Sequence, residues 1–138
     1  MYLSREDVVT EFHRAFGHPI AVEVDDDLVI LRNKLIFEEY EELKDELAAA
    51  LVDLQTEGKV SNKTKARIAK ELADLQYVIS GLAVVMDIPL QVAFTRVHKS
   101  NMSKLGEDGR PVLREDGKIL KGPNYAPPDM ESLFEDDE

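Results

Sequence analysis

The chain has 138 residues, 43% of them hydrophobic and 33% charged, with no cysteine and a net charge of −11. That length suits a single domain, spanning 1–138, and is short for two; the missing cysteine excludes a disulfide framework and a thiolate metal site. The acidic balance excludes a nucleic-acid binder that works by covering phosphates with lysine and arginine, and no apolar run approaches the roughly 18 uncharged residues of a membrane span. Neither a nucleic acid nor a membrane is an expected partner. Met1 to Asp7 carry no basic stretch followed by an apolar one, the form of a secretory signal, so a cytoplasmic setting is expected.

In chain order, Ser4 and Asp7 resemble a helix N-cap with an acidic first turn, opening a short helix through Val8, Val9, Phe12 and Phe16 that Gly17 and Pro19 end. Phe12 and Phe16, four apart, read as core or dimer-interface residues, and His13, His18 and His98, in no ligand spacing, as structural or surface residues. After an extended connector, Asp25, Asp26 and Asp27 offer caps for a long second helix reaching Glu57 and Gly58. Ser61 or Asn62 caps a third helix that reaches Asp87. Pro89 suits the first position of a fourth, ending near Leu105 and Gly106. Beyond it, Asp116-Gly117 between Val112-Leu113 and Ile119-Leu120 predicts a small β-hairpin. The expected fold is therefore all-α, a four-helix-bundle-like core over about 4–105 with a hairpin-bearing arm over about 106–130, and an acidic tail over 131–138 expected to be disordered.

The second helix breaks its own pattern. The stripe Leu28, Leu31, Leu35, Glu39, Glu42, Glu46, Ala49 puts carboxylates where an apolar seam should continue. A neighbouring stripe, Ile36, Tyr40, Leu43, Leu47, Leu51 and Leu54, reads as the ordinary hydrophobic face. The third helix has an apolar seam, Ile68, Leu72, Leu75, Ile79, Leu82, Met86, beside a second stripe, Glu71, Asp74, Val78, Gly81, Val85, that again opens on an acidic pair. From Tyr77 to Met86 it holds no charge, which predicts burial on nearly every side and, in so small a chain, a second copy to supply it.

Taken alone, the charge run Glu38 to Glu46 reads as a solvated helix face, the usual fate of such runs. Glu71 and Asp74 are different, because they are isolated acids at the edge of the uncharged stretch from Tyr77 to Met86. Two carboxylates three apart share a helical face, and two such pairs on packed antiparallel helices converge. Four anions so placed need a compensating cation, and oxygen-only donors favour magnesium or manganese over zinc. Seven cations against four anions between Arg96 and Lys121 make that arm basic, suited to a small polyanion.

Glu38-Glu39-Tyr40-Glu41-Glu42, 28 intervening residues, Glu71-Leu72-Ala73-Asp74 and a downstream Asn101-Met102-Ser103-Lys104 resemble the EExxE…ExxD signature of the MazG-like all-α nucleoside triphosphate pyrophosphohydrolases. The resemblance covers roughly 28–104; the stretch from Val97 to Tyr125 is also similar to a subgroup with dimeric dUTPase-like members. It implies a helical homodimer that uses Mg2+, or Mn2+ in its place, to cleave a (deoxy)nucleoside triphosphate to the monophosphate and pyrophosphate. By motif, Glu39, Glu42, Glu71 and Asp74 would be metal ligands and Glu38 a further ligand or the group that deprotonates the attacking water. Asn101 and Lys104 would hold phosphate oxygens, with Lys118, Lys121 or Tyr125 closing over them. The rival expectations are a phosphoribosyl-ATP pyrophosphatase-like enzyme and a non-catalytic acidic helical metal-binding or adaptor protein.

Overall fold

The computed structural model describes residues 3–135. Its four α-helices are α1 (Arg5–Phe16), α2 (Asp26–Glu57), α3 (Asn62–Met86) and α4 (Leu90–Met102), followed by strands β1 (Val112–Leu113) and β2 (Ile119–Leu120) and a 3₁₀ turn at Glu131–Phe134. By their contacts the helices fall into two compact units, Met1–Ile88 and Pro89–Glu138. The four expected helices are present, α1 to α3 in the first unit and α4 with the arm in the second.

The first unit begins where its caps dictate. Ser4 and Asp7 form a reciprocal capping box on α1, and Gly17, at φ 70°, closes that helix in the left-handed region that a side chain would resist. Asp25 caps α2 through the Leu28 amide, and Ser61 caps α3 through Thr64. The connector between α1 and α2 is also tied down, since the amides of Ala21 and Val22 donate to the carbonyls of Val84 and Val85 at 2.9 and 3.1 Å. These are orphan carbonyls of the last turn of α3, so the connector completes that helix end.

α2 and α3 run antiparallel, as four pairings show. Asp53 accepts from the Ser61 amide at 3.0 Å, Glu46 meets Arg67 at 2.7 Å, Glu39 and Glu42 meet Glu71 and Asp74, and Arg32 meets Gly81. As the α2 number falls the α3 number rises. α1 packs on α3 through Ser80, which is fully buried and donates to Glu6 at 2.6 Å, and through Phe12 against Tyr77 at a ring separation of 5.5 Å.

Burial reverses two expectations drawn from the stripes. On α3 the acid-opened stripe is the inner one, with Gly81 and Val85 buried, whereas Leu72, Ile79 and Met86 of the regular apolar seam are exposed. On α2 only Leu43 of the presumed hydrophobic face is buried; Tyr40, Leu47, Leu51 and Leu54 are exposed. Within this unit α3 is the helix packed along α2, and it covers the side bearing the acids. Phe16, at 67% exposure, is not a core residue, whereas His13 is buried at 2%.

In the second unit Pro89 stands at the N-cap, and Leu90, not Pro89, is the first helical residue of α4. The helix ends at Met102, earlier than expected, because the amides of Lys104 and Leu105 turn to carbonyls three residues back. The hairpin forms as predicted, Val112 opposite Leu120 and Leu113 opposite Ile119, with Gly117 at φ 87° in the turn. Glu131–Phe134, expected to be disordered, is a 3₁₀ turn; Ser132 and the Asp129 carbonyl each accept from Arg96 at 2.7 Å. The rest of the acidic tail, 136–138, lies outside the described residues.

Gly122 seats the arm against the end of α4. Its amide donates to the Lys104 carbonyl at 2.9 Å, and a Cβ there would lie 2.3 Å from the Leu105 carbonyl oxygen. The obstacle is backbone, which cannot swing aside. Gly122→Ala is expected to weaken this seating by about 1–3 kcal/mol. Hydrogen exchange at the Gly122 amide, faster in the variant by about tenfold or more, checks it.

Candidate metal centre

Glu39 and Glu42 stand one turn apart on α2, Glu71 and Asp74 one turn apart on α3, and the antiparallel register brings the four together. One carboxylate oxygen from each lies within 4.8 Å of all the others. The third acid of the α2 stripe, Glu46, is held away by Arg67 at 2.7 Å. Glu39, Glu71 and Asp74 are half-buried and Glu42 is exposed, so the centre opens to solvent on one side.

The electrostatics are those of an under-compensated anion cluster. Burial, followed by the closeness of Glu42, raises the Glu39 carboxyl above its ordinary value of 4.5, with Asp74 and Glu71 adding to the effect. Burial and then Glu42 likewise raise Glu71, against the opposing pull of Lys70. Carboxylates this close repel one another unless a proton or a cation lies between them. Lys70, which the sequence reading passed over, reaches Asp74 at 2.8 Å and Glu71 at 3.5 Å. Hydrogen bonding and attraction to Asp74 raise its ammonium further, so it stays charged. Its spacing of four before Asp74 is a helical ion-pair signal that could have flagged it.

One lysine does not satisfy the centre. Oε2 of Glu39 and Oε2 of Glu71 are buried without any hydrogen-bond partner among the described residues. Two orphaned anionic oxygens converging with two further carboxylates fit a hard divalent cation, which takes oxygen donors.

The other predicted residues divide between the two units. Glu38 is exposed, with Lys34 at 3.9 Å. Asn101, Lys104, Lys118, Lys121 and Tyr125 all belong to the second unit. Within it, Lys104 closes the end of α4 through its carbonyl, Lys118 sits in the hairpin turn with its amide on Asp116, and the Lys121 ammonium lies 4.6 Å from the centre of the Tyr125 ring. Among the described residues no single helix is long and apolar enough to cross a membrane.

An all-helical carboxylate centre fitted for a divalent cation defines the class of protein. Residues 9–101 match the family model of phosphoribosyl-ATP pyrophosphohydrolase, a span that includes all four clustered acids and Asn101. The chain belongs to that pyrophosphohydrolase family and is a hydrolase of phosphoric anhydride bonds. The crystal structure of a "putative NTP pyrophosphohydrolase" from Exiguobacterium sp. 255-15 is similar over 96% of this chain and 95% of its own, at 24% identity and a TM-score of 0.47. No curated protein matches the chain.

A pH dependence follows from the raised carboxyls. A group whose folded value lies above its unfolded one stabilises fully below the unfolded value, here 4.5, and loses that contribution as pH rises through the folded value. Metal-free protein should therefore carry a penalty from Glu39 at pH about 8 that is absent at pH about 4. Glu39→Gln is expected to raise the melting temperature in EDTA at the higher pH and to flatten its pH dependence. Melting curves of both proteins across that range check this, and a variant that melts lower at the higher pH would contradict it.

Proposed function

We propose that this chain is a magnesium-dependent nucleoside triphosphate pyrophosphohydrolase that converts a (deoxy)nucleoside triphosphate, dUTP foremost, to the monophosphate and pyrophosphate. The observation that carries this is the quartet Glu39, Glu42, Glu71 and Asp74, with its two buried orphan oxygens, in a chain of pyrophosphohydrolase family. A divalent cation held there supplies neutralisation of phosphate charge and a more acidic water; manganese has the same donor preference. The protein's part is positioning, which accounts for much of the rate in phosphoryl chemistry. The four acids would hold that cation between α2 and α3, which sets where phosphates can bind. Glu38, one residue before Glu39 and open to solvent, takes a proton from the attacking water or serves as a further ligand. Asn101 and Lys104 bind phosphate oxygens, and Lys118 and the Lys121–Tyr125 pair close over the substrate.

A second substrate, phosphoribosyl-ATP, is favoured by the description of the matching family model. A nucleotide panel with magnesium, resolved by chromatography of the products, separates the two. Glu42→Gln and Asp74→Asn are each expected to lower pyrophosphate release by about a hundredfold or more, with the circular-dichroism spectrum retained and EDTA abolishing the wild-type rate. Full turnover in both variants would remove the quartet from the mechanism.

The enzyme works as a homodimer in a cytoplasmic setting. Exposed Phe37, Tyr40, Leu47, Leu51 and Leu54 lie at spacings of three, four and seven along α2, and exposed Leu72, Ile79 and Met86 follow α3. Apolar stripes of that extent support a second copy as their cover. Sedimentation is expected to give twice the chain mass at micromolar concentration; a stable, well-folded monomer would overturn the dimer.

A further inference from the structure

Two helical turns from the acid quartet, the same α2/α3 groove ends in a charge of opposite sign. Arg32 is only 6% exposed, its Nε has no hydrogen-bond partner, and no ion pair reaches it among the described residues. A guanidinium stays charged in a protein and offers only donors, so its buried Nε without an acceptor is an unmet demand. His13 lies beside it: burial lowers its pKa, opposed by the Pro19 carbonyl and helped by Arg32 and His18, and its Nδ1 donates to Pro19 at 2.8 Å. That leaves Nε2 as the ring's one acceptor, and no hydrogen bond joins it to Arg32 among the described residues. The imidazole is a neutral neighbour.

Arg32 lines a cavity of about 370 Å3 whose walls include Phe12, His18, Tyr77, Leu31 and Leu35. The rings of His18 and Tyr77 lie 5.4 and 5.5 Å from that of Phe12, both nearly perpendicular to it. Aromatic and aliphatic walls with one convergent polar group are what a planar heterocycle requires. The room for the guanidinium is itself built in, because a Cβ on Gly81 would sit 2.8 Å from Arg32 Nη1. The cavity also runs toward the quartet. Leu35 and Val78 line it one turn from Glu39 and Asp74, whereas Arg32 and Gly81 lie seven residues from them, about 10 Å along the helices.

We propose that this cavity is the subsite for the substrate's base and that Arg32 reads the base edge farthest from the sugar, selecting a carbonyl there over an amino group. The proposal rests on the nucleotide reading above, which places phosphates at the quartet. With phosphates at one end of the groove, the sugar lies near Leu35 and Val78, and the distal edge of the base is the part that reaches Arg32. On that edge uracil and thymine present O4, and guanine and hypoxanthine O6, all acceptors; cytosine and adenine present amino groups, which are donors. A donor-only side chain without another partner accepts the first set and rejects the second, because pairing with an amino edge leaves two donors facing each other. Phe12, expected from sequence to be core or interface, becomes part of the wall.

The test compares kcat/KM of the native protein for dUTP against dCTP and for dITP against dATP, and titrates dUMP and dCMP calorimetrically in EDTA. The carbonyl member of each pair is expected to be favoured by about tenfold or more in turnover, and dUMP to bind more tightly than dCMP. Arg32→Met, which removes the donors, and Gly81→Ala, which displaces the guanidinium and keeps its charge, should both bring the ratios toward one. Equal use of carbonyl and amino bases by the native protein would overturn the proposal even if the variants failed to fold. So would ratios that persisted in both folded variants. Absence of pyrophosphate release from every nucleotide would instead overturn the hydrolase reading, and the EDTA titration would still decide the base subsite: tighter dUMP binding upholds it and equal or no binding sinks it.

Discussion

Four carboxylates face one another between α2 and α3, and the first unit is organised around keeping them there. Their convergence depends on register. A slip of one residue on either helix turns a side chain by about 100° and advances it by about 1.5 Å, enough to scatter the quartet. The constraints that prevent a slip lie on both sides of it: the Asp53–Ser61 and Ser61–Thr64 hydrogen bonds and the Glu46–Arg67 pair at one end, and Arg32 against Gly81 at the other. None of these touches the quartet itself, yet each fixes where its oxygens point. The mutual repulsion of the acids is a cost that the hydrophobic packing of α3 on α1 and α2 must offset, and a bound cation would turn it into an attraction.

Much of this was legible in the residues because helix ends are written in short-range chemistry. Ser4 with Asp7, Asp25, Ser61, Gly17 and Gly58 name their own roles, and α1 to α3 begin and end within a residue or so of where these signals put them. The quartet was legible for the same reason, since a carboxylate on an apolar stripe contradicts its neighbours locally. What sequence periodicity could not decide was which of two parallel stripes turns inward. On α3 the regular seam of Leu72, Ile79 and Met86 looked like the core, but packing on α1 and α2 buries Gly81, Val84 and Val85 instead. That choice is tertiary, set by what else the chain can supply, and one small chain supplies too little to cover both stripes. The early end of α4 is a similar case, settled by turn hydrogen bonds around Ser103 and Lys104 that no propensity encodes.

Arg32 was readable by the same logic that exposed the acids. It lies four after Leu28 and three before Leu35, and so occupies the seam that continues through Glu39, Glu42 and Glu46. Along that line the residue types run apolar, cation, apolar, anion, anion, anion. A solvated helix face mixes charges at every position, whereas here the cation is buried and unpaired and two of the anions end in buried, unpaired oxygens. Both departures from the apolar pattern face the same partner helix, and both leave polar atoms unsatisfied.

Unsatisfied buried groups of opposite sign at the two ends of one groove do not cancel each other, because about 10 Å and the side chains of Leu35 and Val78 separate them. A protein selected for stability alone would pair such charges or replace them with apolar residues, since breaking or leaving a buried charge unpaired costs more than removing it. Their retention is physically intelligible if one ligand spans the groove and satisfies both ends, bringing cation-bound phosphates to the acids and an acceptor to the guanidinium. A nucleotide has that polarity along its length. The groove thus carries a direction as well as a position, and the direction is set by the order in which one seam of α2 abandons hydrophobicity.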